Sequence, residues 1–345
     1  MTDRLRVVVA APFPEDDLTE LRRREPRVDL VYEPDLLHAP GPQWQQAKHR
    51  EPADQARFEA LVDTADALLG VPDSSGKALA RTVGANPGLR WVQTIQAGGG
   101  QIVRAAHLPD EVRERIVFTT SAGAYSAPLA EFAVFGVLAG GRRLGVLTAA
   151  QRRHEWASRL VMPAAADQTV AVVGLGSIGR ASAQKLALLG YHVVGVHRRQ
   201  VEAEGVERIE PVERLADVAA EADAIVLALP GTPATEKLLG PDVLARIRPG
   251  ATIVNVGRGT TVDEPALIEA LQDGRVGFAA LDVFAHEPLA ADSPLWDMPQ
   301  VVISPHTAGV DGHEPRLVAE LFAENARRLL DGEPLVNVVN PREFY

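Results

Sequence analysis

A chain of 345 residues is longer than one hydrophobic core usually serves, and with 46% apolar and 23% charged residues it is expected to fold throughout, as two domains. A formal charge of -11 at pH 7 opposes the phosphates of nucleic acid and the face of an anionic membrane, so neither is expected as a partner. With no cysteine, disulfides, thiolate metal sites and thiol nucleophiles are excluded.

The chain opens on a short apolar run, Val7 to Pro12, which lacks the length and the small-residue cleavage site of a signal peptide. No run approaches the roughly 18 to 20 apolar residues of a membrane helix, and a cytoplasmic protein is expected. Short β-branched runs then alternate with stretches of helical length, the pattern of parallel strands joined by helical crossovers, so the class is α/β. The first strands are expected at Leu5–Ala10, Asp29–Tyr32, Ala67–Leu69, Trp91–Thr94 and Ile116–Thr119, with Gly41 to Ala53 a polar loop or solvated helix. Ala127–Gly140, opened by Pro128 and closed by Gly140-Gly141, reads as a long buried helix. A second series follows at Thr169–Val173, His192–Val196, Ala224–Leu229, Thr252–Val256, Phe278–Leu281 and Val301–Ser304. Six strands suit a complete dinucleotide-binding fold. Asp66 to Pro72 faintly echoes Asp223 to Pro230. Last, Pro315 to Leu330 spaces Leu317, Leu321, Phe322 and Leu329 at helical intervals and stops at Gly332. Returned to the first domain, this helix would make that domain discontinuous, 1–120 plus 311–345, around a dinucleotide domain, 121–310, with a hinge near Ser121 and Thr307.

Gly174-Leu175-Gly176-Ser177-Ile178-Gly179 follows a buried strand and precedes a helix whose Ile178, Ala181, Leu186 and Leu189 share one face, ending at Gly190. In that context the first glycine makes the tight turn, the second admits a pyrophosphate to the backbone N–H groups, and the third packs helix on strand. The next strand ends at His197-Arg198-Arg199, where an acid would bind the ribose hydroxyls of NAD. No acid stands there, and two guanidinium groups can hold a 2′-phosphate, so NADP is favoured over NAD.

Three polar residues fall just past apolar strands of the second series: Arg258, Glu287 and His306. Strand ends of an open parallel sheet line the edge where the ligand crevice opens. Carbonyl reduction needs a proton donor, and a histidine, titrating near neutrality, is well matched to the task. A carboxylate can orient and stabilise its imidazolium, and a guanidinium can neutralise a substrate carboxylate and polarise the carbonyl. His286 and His313 compete with His306 for the acid role on this reading alone. No His-Glu-x-x-His or comparable ligand spacing occurs, so no metal is expected.

These segments, with Leu229 to Thr235, Asn255 to Gly259, Leu281 to Leu289, Ser293 to Trp296 and Ser304 to His306, resemble the D-isomer-specific 2-hydroxyacid dehydrogenase family over nearly the whole chain. That family includes glyoxylate/hydroxypyruvate reductases, phosphoglycerate dehydrogenase and D-lactate dehydrogenase. The resemblance implies that Arg258, Glu287 and His306 are the catalytic set, which decides among the histidines. It implies cofactor contacts at the glycine loop and at Leu229, Pro230 and Thr235. Further contacts are implied at Val256, Gly257, Asp282 and His306, Asp282 lying toward the nicotinamide. It places the substrate carboxylate at a loop that maps onto Ala97, Gly98 and Gly99, with Arg258 opposite. Glycines replace two side chains usual in that loop, which predicts greater mobility and a roomier pocket. It implies two flavodoxin- or Rossmann-like domains with parallel sheets, the active site in the cleft between them. A homodimer is implied through the dinucleotide domain, with 127–140 and the segment through Trp156 as candidate interface. The function implied is NADPH-dependent reduction of a small 2-keto acid of the glyoxylate or hydroxypyruvate type. Formate oxidation is disfavoured, since formate enzymes carry Gln where Glu287 stands. Phosphite oxidation, or a dinucleotide-sensing corepressor-like binding protein on the same fold, are the alternatives.

Overall fold

In the computed structural model, which describes residues 4–39 and 48–344, twelve strands form two sheets and every strand pair is parallel. The chain divides into two compact units, Met1–Tyr125 with Val310–Tyr345, and Ser126–Gly309. Of the polar stretch 41–53, residues 41–47 lie outside the described residues, 48–51 carry no regular structure, and a helix begins at Pro52.

In the first unit, β1 (Leu5–Val9), β2 (Val28–Val31), β3 (Ala67–Leu69), β4 (Trp91–Gln93) and β5 (Val117–Thr119) stand in the order β2-β1-β3-β4-β5, a doubly wound, flavodoxin-like arrangement. The helix Glu314–Asp331 packs on Glu15–Arg24 in this same unit and ends on Gly332 in the left-handed region, where no Cβ penalty arises. Its buried face is Val318, Ala319, Phe322, Ala323 and Ala326, turned from the expected one: Leu317 is exposed, and the smaller Val318 and Ala319 do the packing. Phe322 stacks on Trp91 with ring centroids 4.2 Å apart, and both rings are fully buried.

The second unit has seven strands: β6 (Thr169–Val173), β7 (His192–Val196), β8 (Arg208–Glu210), β9 (Ala224–Leu227), β10 (Ala251–Asn255), β11 (Val276–Leu281) and β12 (Val301–Ile303). Their order, β12-β11-β10-β9-β6-β7-β8, is the dinucleotide-binding 3-2-1-4-5-6 order with one strand added. The direction of winding reverses between β6 and β9, so the crevice past their carboxyl ends is the expected ligand position. β8 is absent from the expected strands because it is a three-residue edge, Arg-Ile-Glu, without alternating or continuous apolar character.

The helix Ser126–Gly141 covers this sheet through one face only, correcting the expectation of burial throughout: Phe135 is exposed, while Ala133, Gly136, Val137 and Gly140 are buried. A Cβ on Gly136 would lie 2.7 Å from the Val254 side chain, and one on Gly140 1.9 Å from Thr252 Oγ1. Glycine there lets the helix settle onto β10. The faint echo between 66–72 and 223–230 marks equivalent strands: Asp66 Oδ2 accepts the Arg6 N–H of β1 at 2.9 Å, and Asp223 Oδ2 accepts the Thr169 N–H of β6 at 2.8 Å.

Candidate functional site

The glycine loop leaves the carboxyl end of β6 and opens the helix Ser177–Leu188. Gly174 has φ +93, a conformation that side chains rarely adopt, and its N–H donates to Val196 O at 2.8 Å. A Cβ on Gly179 would fall 1.8 Å from the Gly174 carbonyl oxygen, so the helix can start this close to the strand only without one. A Cβ on Gly176 would meet nothing within 4 Å. The loop is thus closed behind and open in front, and with the helix N-terminus this fits the pyrophosphate of a dinucleotide. The expected helix face is corrected here too: Ser182, Ala183 and Leu186 are buried, and Leu189 is exposed.

At the end of β7, His197 accepts the Leu175 N–H at Nδ1, 3.3 Å away, so its ring is the neutral tautomer protonated at Nε2. Burial, with the cations Arg198, Arg180 and Arg199, holds its pKa below the ordinary histidine value. Arg198 and Arg199 follow directly, and no carboxylate occupies these three positions.

Next along the sheet, β9 continues into Ala228, Leu229 and Pro230. Gly257 packs on this segment, since a Cβ there would lie 2.6 Å from Leu229 O, and the Val256 N–H donates to Leu227 O at 3.0 Å. Thr235 Oγ1 donates to Pro230 O at 2.6 Å and accepts the Thr232 N–H at 2.9 Å, tying the 230–235 turn to itself. Its hydroxyl shapes the turn wherever a ligand sits.

Arg258 occupies the turn after β10. Asn255 holds that turn: its Nδ2 donates to Arg258 O at 3.1 Å, its Oδ1 accepts the Gly257 N–H at 3.0 Å, and Thr261 Oγ1 adds a bond to Arg258 O at 2.7 Å. The guanidinium donates from Nη1 to Gly257 O at 2.8 Å. Burial lowers its pKa, and the charges of Glu287 and Asp282 act in the opposite sense. Arginine keeps its proton under such a shift, so the site holds a desolvated cation.

His306 Nδ1 and Glu287 Oε2 are 2.8 Å apart, and Glu287 Oε1 accepts the Phe284 N–H at 3.0 Å. Burial raises the Glu287 pKa, but the bonds from His306 and Phe284 N–H and the charges of His306 and Arg258 outweigh it, leaving the carboxyl below its ordinary value. The ionised carboxylate can only accept, so Nδ1–H donates and Nε2 faces away from it. His306 has φ +54 and sits in a turn built on Asp282. Asp282 O accepts the His306 N–H at 2.9 Å. Its buried Oδ1 accepts Ser304 Oγ–H at 2.6 Å and the N–H groups of Thr307 and Ala308, each at 2.9 Å. Ser304, Phe284, Asn255 and Asp282 in this holding role escaped the reading of the sequence; Asn255 and Ser304, polar residues ending apolar strands, are the signal that was available. Glu264 acts likewise, accepting the Ala285 N–H at 3.1 Å. His286, in the same unit, makes no bond to this carboxylate, whose partners are His306 and the Phe284 N–H.

Ala97, Gly98 and Gly99 lie in the first unit, between β4 and a helix starting at Gly100. Here the expectation of a looser loop meets a different cause for its glycines. A Cβ on Gly99 would lie 1.8 Å from Thr94 Oγ1, and one on Gly100 2.0 Å from Phe344 O. Both are buried, and the turn is bonded through Gly99 N–H to Gln96 O at 3.2 Å and Ile102 N–H to Gly99 O at 3.0 Å. Among the described residues, no group of three or more His, Asp or Glu could hold a metal ion, and no single helix is long and apolar enough to cross a membrane.

A family model described as D-isomer specific 2-hydroxyacid dehydrogenase, NAD binding domain, matches residues 134–308. Glyoxylate/hydroxypyruvate reductase B of Salmonella paratyphi A is 33% identical over 307 residues, 86% of this chain and 91% of that protein. D-3-phosphoglycerate dehydrogenase of Mycobacterium tuberculosis is 35% identical over 288 residues, 83% of this chain; the chain spans 53% of that protein, about half its length. Among solved structures, a D-isomer specific 2-hydroxyacid dehydrogenase from Xanthobacter autotrophicus Py2 in complex with NADPH and MES has a TM-score of 0.79 at 32% identity, covering 99% of this chain and 100% of that one. An NADPH-dependent glyoxylate/hydroxypyruvate reductase from Sinorhizobium meliloti, in complex with NADP and sulfate, has a TM-score of 0.79 at 26% identity, with coverage of 99% and 100%.

Proposed function

Because the chain belongs to the D-isomer specific 2-hydroxyacid dehydrogenase family, we propose that it reduces a compact 2-keto acid, of the glyoxylate or hydroxypyruvate kind, to the 2-hydroxy acid, with NADPH preferred over NADH. A bound nicotinamide cofactor supplies the hydride that reaches the carbonyl carbon. His306 supplies the proton to the carbonyl oxygen from Nε2, since Nδ1 is engaged by Glu287. Glu287 keeps the ring oriented and stabilises its charged form before the proton leaves. Arg258 binds the substrate carboxylate and draws electron density from the carbonyl. The observation that carries this reading is the desolvated Arg258 cation beside an oriented His306–Glu287 pair. Preference for NADPH rests on Arg198 and Arg199 at the end of β7 and on the cofactors bound by two similar structures. Steady-state reduction of glyoxylate and hydroxypyruvate by wild type and His306→Ala tests the assignment: a loss of about 10² or more in kcat/KM is expected, and near-wild-type activity overturns it.

The second unit also exposes Phe135, Val146, Leu147, Val161 and a fully solvent-facing Trp156 along one stretch of chain. We propose that a second copy covers them, forming a homodimer. Light scattering at micromolar concentration should give twice the chain mass; a monomer contradicts the proposal.

A further inference from the structure

Leu175, the second residue of the glycine loop, spends both of its main-chain polar groups on side chains from outside the loop. Its N–H donates to Nδ1 of His197 at 3.3 Å, and its carbonyl accepts Nε–H of Arg180 at 2.9 Å. The same guanidinium donates through Nη1 to the carbonyl of Glu202. Arg180 stands one position past the last glycine, and side chains in a helix's first turns lean back toward its N-terminus, which brings this one over the loop. One arginine therefore joins the glycine loop to the segment that follows Arg198 and Arg199, and the histidine just before them bonds to the loop directly. Leu175 is itself buried, and a Cβ at Gly195 would sit 2.8 Å from its Cδ1, so the stapled residue is anchored in the sheet as well.

The choice of histidine at 197 has a chemical reason. An aspartate or glutamate there could accept the Leu175 N–H equally well, but it would set a negative charge beside a 2′-phosphate. A neutral imidazole supplies the acceptor without the charge.

We propose that Arg180 and His197 are positioning residues that hold the Arg198–Arg199 segment in register with the glycine loop, so that the protein distinguishes a 2′-phosphomonoester from a 2′-hydroxyl. This rests on the reading that the cofactor is NADP. The separation between the two ideas comes from titrating the full chain with 2′,5′-ADP and with 5′-ADP, which carry the adenosine end without the nicotinamide. Wild type should bind 2′,5′-ADP at least about tenfold more tightly. Arg180→Gln and His197→Ala should each shrink that ratio about fivefold or more, a loss typical of charge-assisted or buried bonds. His197→Asn, whose Oδ1 can still accept the Leu175 N–H, should restore the ratio, and His197→Asp should abolish it while 5′-ADP binding persists. If wild type prefers neither ligand, the NADP reading fails and this inference falls with it. If wild type prefers 2′,5′-ADP but Arg180→Gln and His197→Ala keep the ratio, or weaken both ligands equally, the staple is overturned while the NADP reading stands.

Discussion

His306 and Glu287 are joined Nδ1 to Oε2 at 2.8 Å, and each is fixed by a separate backbone: Glu287 by the Phe284 N–H, His306 by its own N–H donated to Asp282 O. The Asp282 carboxylate is held by Ser304, Thr307 and Ala308 rather than by the His306 ring, so it is the backbone around His306 that is fixed, and the pair does not depend on two free side chains finding each other. Its left-handed residue, costing of order 1–3 kcal/mol, is held by the three donors that converge on Asp282 Oδ1.

Replacing Glu287 by Gln should keep the shape of this pair and remove its charge. Without the adjacent charge the ring is held only by the remaining hydrogen bond, and kcat/KM for keto-acid reduction should fall about tenfold or more. Unchanged turnover would count against the pair. The carboxyl titrates below the ordinary glutamate value of 4.5, so its contribution to folding is present above that value and is lost as pH falls through the lower, folded one. Urea midpoints of Glu287→Gln should accordingly vary less with pH across about 5 to 3 than those of wild type.

Gly259 makes a different demand. A Cβ there would lie 1.9 Å from both the carbonyl carbon and oxygen of Phe284, the residue whose N–H holds Glu287. Neither backbone can yield without moving Arg258 relative to the carboxylate. Gly259→Ala should lower stability by roughly 2 kcal/mol or more and, through misplacement of reacting groups, reduce kcat/KM about 10²-fold. Thermal unfolding and steady-state assays read the two effects; a variant that unfolds earlier yet keeps full activity would show that the contact is purely structural.

Much of this architecture is legible in the amino-acid order because the signals are local. β6, the glycines and the following helix are contiguous, Arg258 and Glu287 each follow a buried run that forms an inner strand, and His306 follows a short apolar run at the edge of the same sheet. What escapes has its cause elsewhere in the chain. Gly99 and Gly100 look like freedom in a loop, yet Thr94 and Phe344 leave them no room for a Cβ. Leu317 is large and apolar but exposed, because the buried face of its helix runs through Val318 and through Phe322, which stacks on Trp91. β8 has too few residues and too much charge to announce itself, and Asp282, placed toward a ligand by resemblance, carries three donors from a turn more than twenty residues away.

The most direct test is a panel of 2-keto acids, from glyoxylate and hydroxypyruvate to bulkier side chains, run in parallel with NADPH and NADH. Reduction of the smallest members, faster with NADPH, is the predicted result. Tight binding of NADPH with no member of the panel reduced would contradict it and identify the chain as a dinucleotide-sensing binding protein.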